Sequence, residues 1–147
     1  MYKEWLMGTW FLESFKATDE DGDEIDILGE GATGFICYSQ DGWMSVAMTS
    51  KDRMRYDIPD VEGGSDLQTL SAARGYFTYA GKYTVDEENS LVFHNLEYSL
   101  IPNWVGSKQK RYITKESDNV LVLSGDPVKI GPGGKKRVSR LRWVRGQ

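Results

Sequence analysis

The chain has 147 residues and a mass of 16.7 kDa, which fits one domain and leaves too little material for two independent cores. Hydrophobic residues (39%) can supply a core, while a net charge of -4 disfavours the positive surface that binds nucleic acid non-specifically. No apolar stretch approaches the roughly 20 residues that span a bilayer, so we expect a single domain over residues 1–147 with no membrane span.

Short runs of aromatic and β-branched residues alternate with clusters of Gly, Asp, Asn and Ser, which is typical of an all-β domain. Asp41-Gly42 predicts a tight hairpin turn, because this dipeptide tolerates positive φ. A helix is predicted at 65–74, since Ser65 can cap its start and Gly75 can end it. In chain order, the predicted strands span residues 9–15, 33–38, 43–49, 76–85, 91–98, 108–114, 120–124 and 138–144.

The number and order of the predicted strands limit how they can assemble. Eight sequential antiparallel strands form either two packed sheets or a closed barrel, and closure removes the exposed edges that promote aggregation. We therefore predict an eight-stranded, up-and-down antiparallel β-barrel with one short helix. The interior of such a barrel is either filled by its own side chains or holds one small ligand.

Several segments spread along the chain match one known pattern in the same order. They are residues 6–12 with their Gly-x-Trp triplet, 33–38 with 41–45, 79–83, His94, 102–106 with Gln109 and Arg111, and 141–145. Together they resemble the lipocalin-like domain family, whose members are calycin-type β-barrels. The resemblance covers almost the whole chain and implies a barrel without disulfides that has an internal cavity. It does not imply a single activity, because such barrels include both carriers and enzymes of secondary metabolism.

The resemblance also implies a structural pair at one end of the barrel. In calycins the first-strand Trp packs near the closed end, and a basic residue of the last strand lies across its ring. By position these residues are Trp10 and either Arg142 or Arg145. Strand alternation places Arg145 on the same face as Leu141 and Trp143, so Arg145 is the preferred companion and neither member of the pair is expected to contact a ligand.

Two polar residues are the candidates for chemistry in the interior. His94 is the only histidine, the side-chain type whose unperturbed pKa lies near neutral pH, so an inward His94 could act as a general acid or base. The alternative is a His94 that is hydrogen-bonded within the barrel wall, and the sequence leaves open which face of its strand points inward. An inward Arg111 would suit a carboxylate, enolate or phenolate on a mostly apolar molecule, whereas an outward Arg111 would be solvated.

Other side chains are candidates for the wall and mouth of the cavity. Aromatic rings and adaptable methionines suit a small hydrophobic ligand, although packing within the core explains the same residues. The apolar connection before Arg111 is expected to form part of the mouth. The predicted ligand contacts are Tyr38, Met44, Met48, Tyr79, Tyr83, Tyr98, Asn103 and Trp104.

Three functions are consistent with this interpretation. The first is a barrel that binds a small hydrophobic or aromatic metabolite. The alternative is a cofactor-independent isomerase, cyclase or dehydratase that uses the same cavity, with His94 as acid or base and Arg111 or a tyrosine stabilising negative charge. The third is a barrel that is filled by its own side chains and acts through its outer surface, most simply as a homodimer.

No cofactor, metal or nucleic-acid partner is expected. Cys37 is the only cysteine, which excludes a disulfide within the chain and thiolate-rich metal sites. The acidic run that starts at Asp19 has Glu24 where an EF-hand loop requires glycine. Residues 1–5 lack the basic start and apolar region of a secretory signal, so we expect a cytoplasmic location.

Overall fold

The computed structural model describes residues 1–146, which form antiparallel strands and short helices. The helices are α1 (Tyr2–Leu6) and α2 (Asp66–Arg74), with 3₁₀ turns at Pro102–Trp104 and Pro132–Gly134. The strands are β1 (Gly8–Asp19), β2 (Glu24–Asp26), β3 (Thr33–Tyr38), β4 (Trp43–Thr49), β5 (Tyr76–Asp86), β6 (Leu91–Ser99), β7 (Lys108–Ser117), β8 (Val120–Ser124), β9 (Val128–Lys129) and β10 (Lys136–Arg145).

The strands close into a barrel. Their order in the sheet is β2-β1-β3-β4-β5-β6-β7-β8-β10-β9, and β1 also pairs with β10. This pairing runs from Trp10 opposite Arg145 to Asp19 opposite Arg137 and joins the two sides of the sheet. The short strands β2 and β9 extend from β1 and β10, so eight strands make up the ring. The predicted eight-stranded antiparallel β-barrel is therefore confirmed.

Local signals in the sequence account for several elements. The turn between β3 and β4 contains Gly42 at a φ of 92°, a conformation that L-residues with side chains rarely adopt. The helix α2 starts with a capping box, in which the Ser65 side chain accepts from the Gln68 amide and the Gln68 side chain accepts from the Ser65 amide. The predicted strands and helix are thus present, with bounds that differ by a few residues.

The helix α1 was not predicted, and it covers one end of the barrel. Five residues are too few to form a stable helix in isolation, so tertiary contacts must hold it. Leu6 is fully buried and its carbonyl accepts from the Trp10 indole nitrogen at 2.8 Å. The rings of Trp5 and Trp10 pack edge to face at 5.0 Å. These contacts make the α1 end of the barrel the closed end.

The described helices were also compared with the requirements of a membrane span. None of them has the length and apolar character needed to cross a bilayer.

Candidate functional site

A pocket of about 610 Å³ lies among the inward-facing side chains of the barrel. Every strand of the ring except β6 contributes to it, and residues 101, 104, 125, 126 and 128–130 complete it. Those residues lie between β6 and β7 and between β8 and β10, at the end of the barrel opposite α1, so the pocket occupies the more open end. Its apolar lining includes Ile36, Val46, Met48, Phe77, Leu123 and Leu141.

One wall of the pocket is aromatic. Phe77 and Tyr79 lie two residues apart on β5 and therefore face the same side of the strand. Trp104, in the 3₁₀ turn after β6, packs edge to face on Phe77 at 5.5 Å and lies 6.1 Å from Tyr79. This three-ring cluster offers flat apolar surface on one side of the pocket.

Behind Tyr79 lies a hydrogen-bonded chain of three buried residues. His94 on β6 is 0% exposed. Its Nδ1 is 2.9 Å from the Tyr79 hydroxyl, and its Nε2 is 2.7 Å from the Tyr38 hydroxyl. Tyr79 lines the pocket, whereas His94 and Tyr38 do not. The histidine therefore connects to the pocket through Tyr79, and both of its ring nitrogens are already in use.

Burial keeps this histidine neutral. Desolvation, and secondly the positive charge of Arg111, lower the pKa of His94 from 6.5 to about 3. A neutral imidazole has one N–H donor and one acceptor nitrogen. His94 therefore donates to one tyrosine hydroxyl and accepts from the other. Burial also raises the pKa of both Tyr38 and Tyr79, so both phenols stay protonated at neutral pH.

Arg111 brings a positive charge to the same corner of the pocket. It lies on β7 opposite Val92 and lines the pocket. One of its terminal nitrogens donates to the Lys110 carbonyl at 2.9 Å, but no carboxylate lies within 4.0 Å of it anywhere in residues 1–146. Its charge lowers the pKa of Tyr38 and of Tyr79 against the larger effect of burial, and at Tyr79 a hydrogen bond donated by the Arg111 side chain acts in the same direction. The guanidinium thus has no carboxylate in direct contact within residues 1–146, although its charge also contributes to the lowered pKa of Asp126 in the same lining.

The charged groups around the pocket are mostly basic. Lys108, Lys110 and Lys129 line it together with Arg111, and the acid in this lining is Asp126. Both oxygens of Asp126 are already engaged, since Oδ1 accepts from the Tyr112 hydroxyl at 2.7 Å and Oδ2 lies 3.1 Å from Lys110 Nζ. The pocket of this acidic chain therefore carries a local excess of positive charge.

The predicted ligand contacts separate into three groups. The pocket brings together Met48, Tyr79 and Trp104, and Arg111, the second predicted catalytic candidate, also lines it. Tyr38, Met44 and Tyr83 are buried but lie outside its lining, in the packed part of the barrel. There the Tyr38 and Tyr83 rings meet edge to face at 4.9 Å, and the Tyr83 hydroxyl donates to the Ser39 carbonyl. These three residues pack within the core.

Two further predicted contacts lie outside the pocket. Tyr98 is 68% exposed, although strand alternation groups it with His94. The pairing of β5 with β6 shifts between Ala80 and Gly81, which leaves Glu97 unpaired, and this bulge turns Tyr98 to the outer face. Asn103 is exposed in the 3₁₀ turn that directs its neighbour Trp104 to the pocket. Tyr98 and Asn103 were predicted as ligand contacts, and neither is among the residues that line the pocket.

The structural pair lies at the closed end of the barrel. The guanidinium carbon of Arg145 is 3.9 Å from the centre of the Trp10 ring, and Trp10 is fully buried. Arg142 faces outward and forms ion pairs with Glu13 and Glu116. Neither Trp10 nor Arg145 lines the pocket.

Some lining residues were missing from the predicted site. Leu141 and Trp143 lie on the same face of β10 as Arg145, so strand alternation could have identified them as inward-facing. Phe15 had no such signal, because the pairing of β1 with β10 shifts around Glu13 and this bulge changes which residues face inward. The segment 125–130, which includes the short strand β9, has no periodic pattern in the sequence from which its contribution to the pocket could be inferred.

Comparisons with known proteins give the following relatives. A family model described as a lipocalin-like domain matches residues 7–146. The 4'-hydroxy-3'-methoxypropiophenone carrier protein ppsC of Aspergillus oryzae is 34% identical over 101 residues, which cover 61% of this chain and 89% of that protein. Among solved structures, a redesigned β-barrel is 16% identical with a TM-score of 0.44, covering 99% of this chain and 95% of its own. A de novo designed fluorescence-activating β-barrel is 10% identical with a TM-score of 0.43, covering 98% and 96%.

Proposed function

The chain belongs to the lipocalin-like domain family, and we propose that it is a carrier that encloses a small oxygenated aromatic molecule in its pocket. The volume of about 610 Å³ supports this proposal, since pockets for small molecules commonly measure roughly 300–1,000 Å³. Carriers of this kind need apolar walls for affinity and a few polar groups for orientation.

The main support for the proposal is that one side of the pocket is aromatic and the adjoining side is polar. The cluster of Phe77, Tyr79 and Trp104 offers aromatic surface, while the Tyr79 hydroxyl and the unpaired Arg111 provide polar groups beside it. An aromatic ring gains from burial against the first side at roughly 25 cal/mol per Å². An oxygen substituent on that ring would meet the polar side. A purely aliphatic cargo would offer the half-buried guanidinium of Arg111 no acceptor.

The named relative narrows the class of cargo. Its name gives 4'-hydroxy-3'-methoxypropiophenone as the molecule that it carries. This compound is an aromatic ring with a ketone at one end and two oxygen substituents at the other. We propose that the cargo of this chain belongs to the same class of oxygenated aryl ketones.

Titration of the purified protein with 4'-hydroxy-3'-methoxypropiophenone tests the proposal. We expect saturable binding with one molecule per chain by calorimetry, and quenching of tryptophan fluorescence that is reduced in Trp104→Phe. Met48→Arg places a charge in the apolar lining and should abolish binding, whereas Tyr98→Phe, on the outer face, should not change it. Absence of binding by the wild-type protein would contradict the proposal.

A cofactor-independent isomerase, cyclase or dehydratase is the second candidate. The observation that favours it is the chain from Tyr38 through His94 to Tyr79, which ends beside Arg111 and could supply a proton while the cation stabilises an enolate. The group that touches the substrate would then be Tyr79, with His94 acting through it. Incubation of the ketone with the protein in D₂O distinguishes the candidates, because enolisation exchanges the hydrogens beside the carbonyl and simple carriage does not.

Location and assembly are further proposals. We infer from the sequence a cytoplasmic location, which fractionation of the producing cells would test. The alternative in which the chain forms a homodimer is tested by light scattering of the purified protein.

A further inference from the structure

The chain from Tyr38 through His94 to Tyr79 leaves one hydroxyl proton without a protein acceptor. A neutral imidazole donates at one ring nitrogen and accepts at the other. Within the described part of the chain, each of the two tyrosine hydroxyls has His94 as its hydrogen-bond partner. One tyrosine therefore donates to His94, and the other accepts from His94 and keeps its own proton free.

The position of the pocket decides which tyrosine keeps the free proton. Tyr38 is 2% exposed and lies outside the lining, so an unshared proton there would be buried among apolar groups, which is costly. Tyr79 lines the pocket, where water or a cargo molecule can accept the proton. The favoured arrangement has Tyr38 donating to Nε2 and Nδ1–H donating to the Tyr79 oxygen. The Tyr79 O–H is then directed to the pocket.

Arg111 provides a second hydrogen-bond donor at the pocket. A guanidinium has N–H donors and no acceptor, and that of Arg111 has no carboxylate partner within residues 1–146. Tyr79 and Arg111 therefore each present a donor to the pocket. The carboxylate in the lining, Asp126, is already bonded to Tyr112 and Lys110.

We infer that Tyr79 and Arg111 select a cargo by its carbonyl oxygen, and that His94 and Tyr38 are positioning residues that fix the Tyr79 hydroxyl as a donor. The inference rests on the proposed carrier function and adds the group by which the cargo is recognised. A site built to hydrogen-bond a polar group discriminates strongly against an analogue that lacks the group, because its own buried polar atoms are left unpaired.

Two probes test the inference directly. The first is 4'-hydroxy-3'-methoxypropiophenone, and the second is 2-methoxy-4-propylphenol, in which a methylene replaces the ketone and the ring substituents are kept. We expect the wild-type protein to bind the ketone at least tenfold more tightly. Tyr79→Phe, which keeps the ring and removes the hydroxyl, should lower this ratio several-fold, since the Arg111 guanidinium still lines the pocket.

Variants of His94 test the positioning role. His94→Leu removes both hydrogen bonds and should lower the ratio several-fold, while His94→Gln keeps one acceptor and one donor and should restore most of it. A purely structural role would weaken the binding of both probes equally. Tyr83→Phe is the matched control, because its hydroxyl is bonded to the Ser39 carbonyl and lies outside the lining, so the ratio should not change.

If the His94 variants do not fold, an infrared measurement on the bound ketone still tests the inference. The carbonyl stretch of the bound ketone should lie at lower frequency in the wild-type protein than in Tyr79→Phe, since a donated hydrogen bond weakens the C=O bond. Equal frequencies, or equal wild-type affinity for both probes, would overturn the inference and leave the carrier function standing. Binding of neither probe would overturn both.

Discussion

The guanidinium carbon of Arg145 lies 3.9 Å from the centre of the Trp10 ring, at the point where the last strand of the barrel meets the first. The terminal nitrogens of Arg145 donate to the Met7 carbonyl at 2.8 Å and to the Trp5 carbonyl at 2.6 Å. One side chain of β10 thus contacts β1, holds the end of α1 and covers a buried indole. These contacts tie together three parts of the chain at the closed end.

Replacement of Arg145 should destabilise the barrel. We expect Arg145→Gln to lower the free energy of unfolding by about 2–3 kcal/mol, from the lost cation–π contact and two hydrogen bonds from a charged donor. Urea denaturation measures the change. Arg142→Gln is the control, since its ion pairs with Glu13 and Glu116 are exposed and should contribute less than about 1 kcal/mol. Equal losses in the two variants would contradict the structural role of Arg145.

The buried His94 should make the protein sensitive to mild acid. Below pH 6.5 the unfolded chain gains a proton on His94, whereas the folded chain does not until the pH nears its lowered pKa of about 3. Stability is therefore lost as the pH falls through this window, at roughly 1.4 kcal/mol per pH unit.

The variant His94→Gln removes this titration. Between pH 7 and pH 5 the wild-type protein should lose about 2 kcal/mol more than His94→Gln, measured by denaturant unfolding at each pH. Other titrating groups are common to both proteins, so the difference reports on His94. Parallel stability curves would show that the histidine is not held neutral in the fold.

Gly81 should not tolerate a side chain. A Cβ at this position would lie 1.9 Å from the Asn95 carbonyl oxygen, next to the bulge at Glu97. Gly81→Ala therefore requires the β6 backbone to move, and we expect a loss of roughly 1–3 kcal/mol. In Gly125→Ala the nearest atom would be Ser139 Oγ at 3.5 Å, an ordinary contact, so thermal unfolding of that control should change little. Similar melting temperatures for the two variants would show that β6 moves without cost.

The positive charge of Arg111 in the pocket lining should contribute to cargo affinity. Arg111→Gln is expected to weaken binding of 4'-hydroxy-3'-methoxypropiophenone by tenfold or more, because hydrogen bonds to a charged donor are worth roughly 1.5–3 kcal/mol. Calorimetry gives the affinity. The control is Arg140→Gln, an exposed residue outside the lining of the pocket. If both variants bound equally well, the charge of Arg111 would not act on the cargo.

Strands and helices that depend on residues close together in the chain could be predicted from the sequence. The bounds of β3, β4 and β8 match the predicted strands, because alternating apolar residues and the Asp41-Gly42 turn are properties of short segments. The helix α2 was predicted for the same reason, from Ser65 and Gly75 at its ends. The helix α1 was missed, since it depends on contacts of Trp5 and Leu6 with a strand and not on its own five residues.

The candidate site could be predicted only in part. Alternation groups residues into two faces, but bulges change the grouping, as Phe15 and Tyr98 show. A bulge is a mismatch between two paired strands, so it has no signature within either strand alone. For the same reason, the sequence around His94 does not show which face of its strand points into the barrel.

The amino-acid sequence by itself determined the family, the eight strands of the ring and the residue types available for an interior site. The tertiary structure decided that His94 lies between the hydroxyls of Tyr38 and Tyr79, and that Arg111 faces the pocket with no carboxylate of residues 1–146 within 4.0 Å. The physical reason is the range of the interactions involved. Strand propensity and turn geometry act between neighbours in the chain, whereas hydrogen-bond partners and desolvation depend on residues that only closure of the barrel brings together.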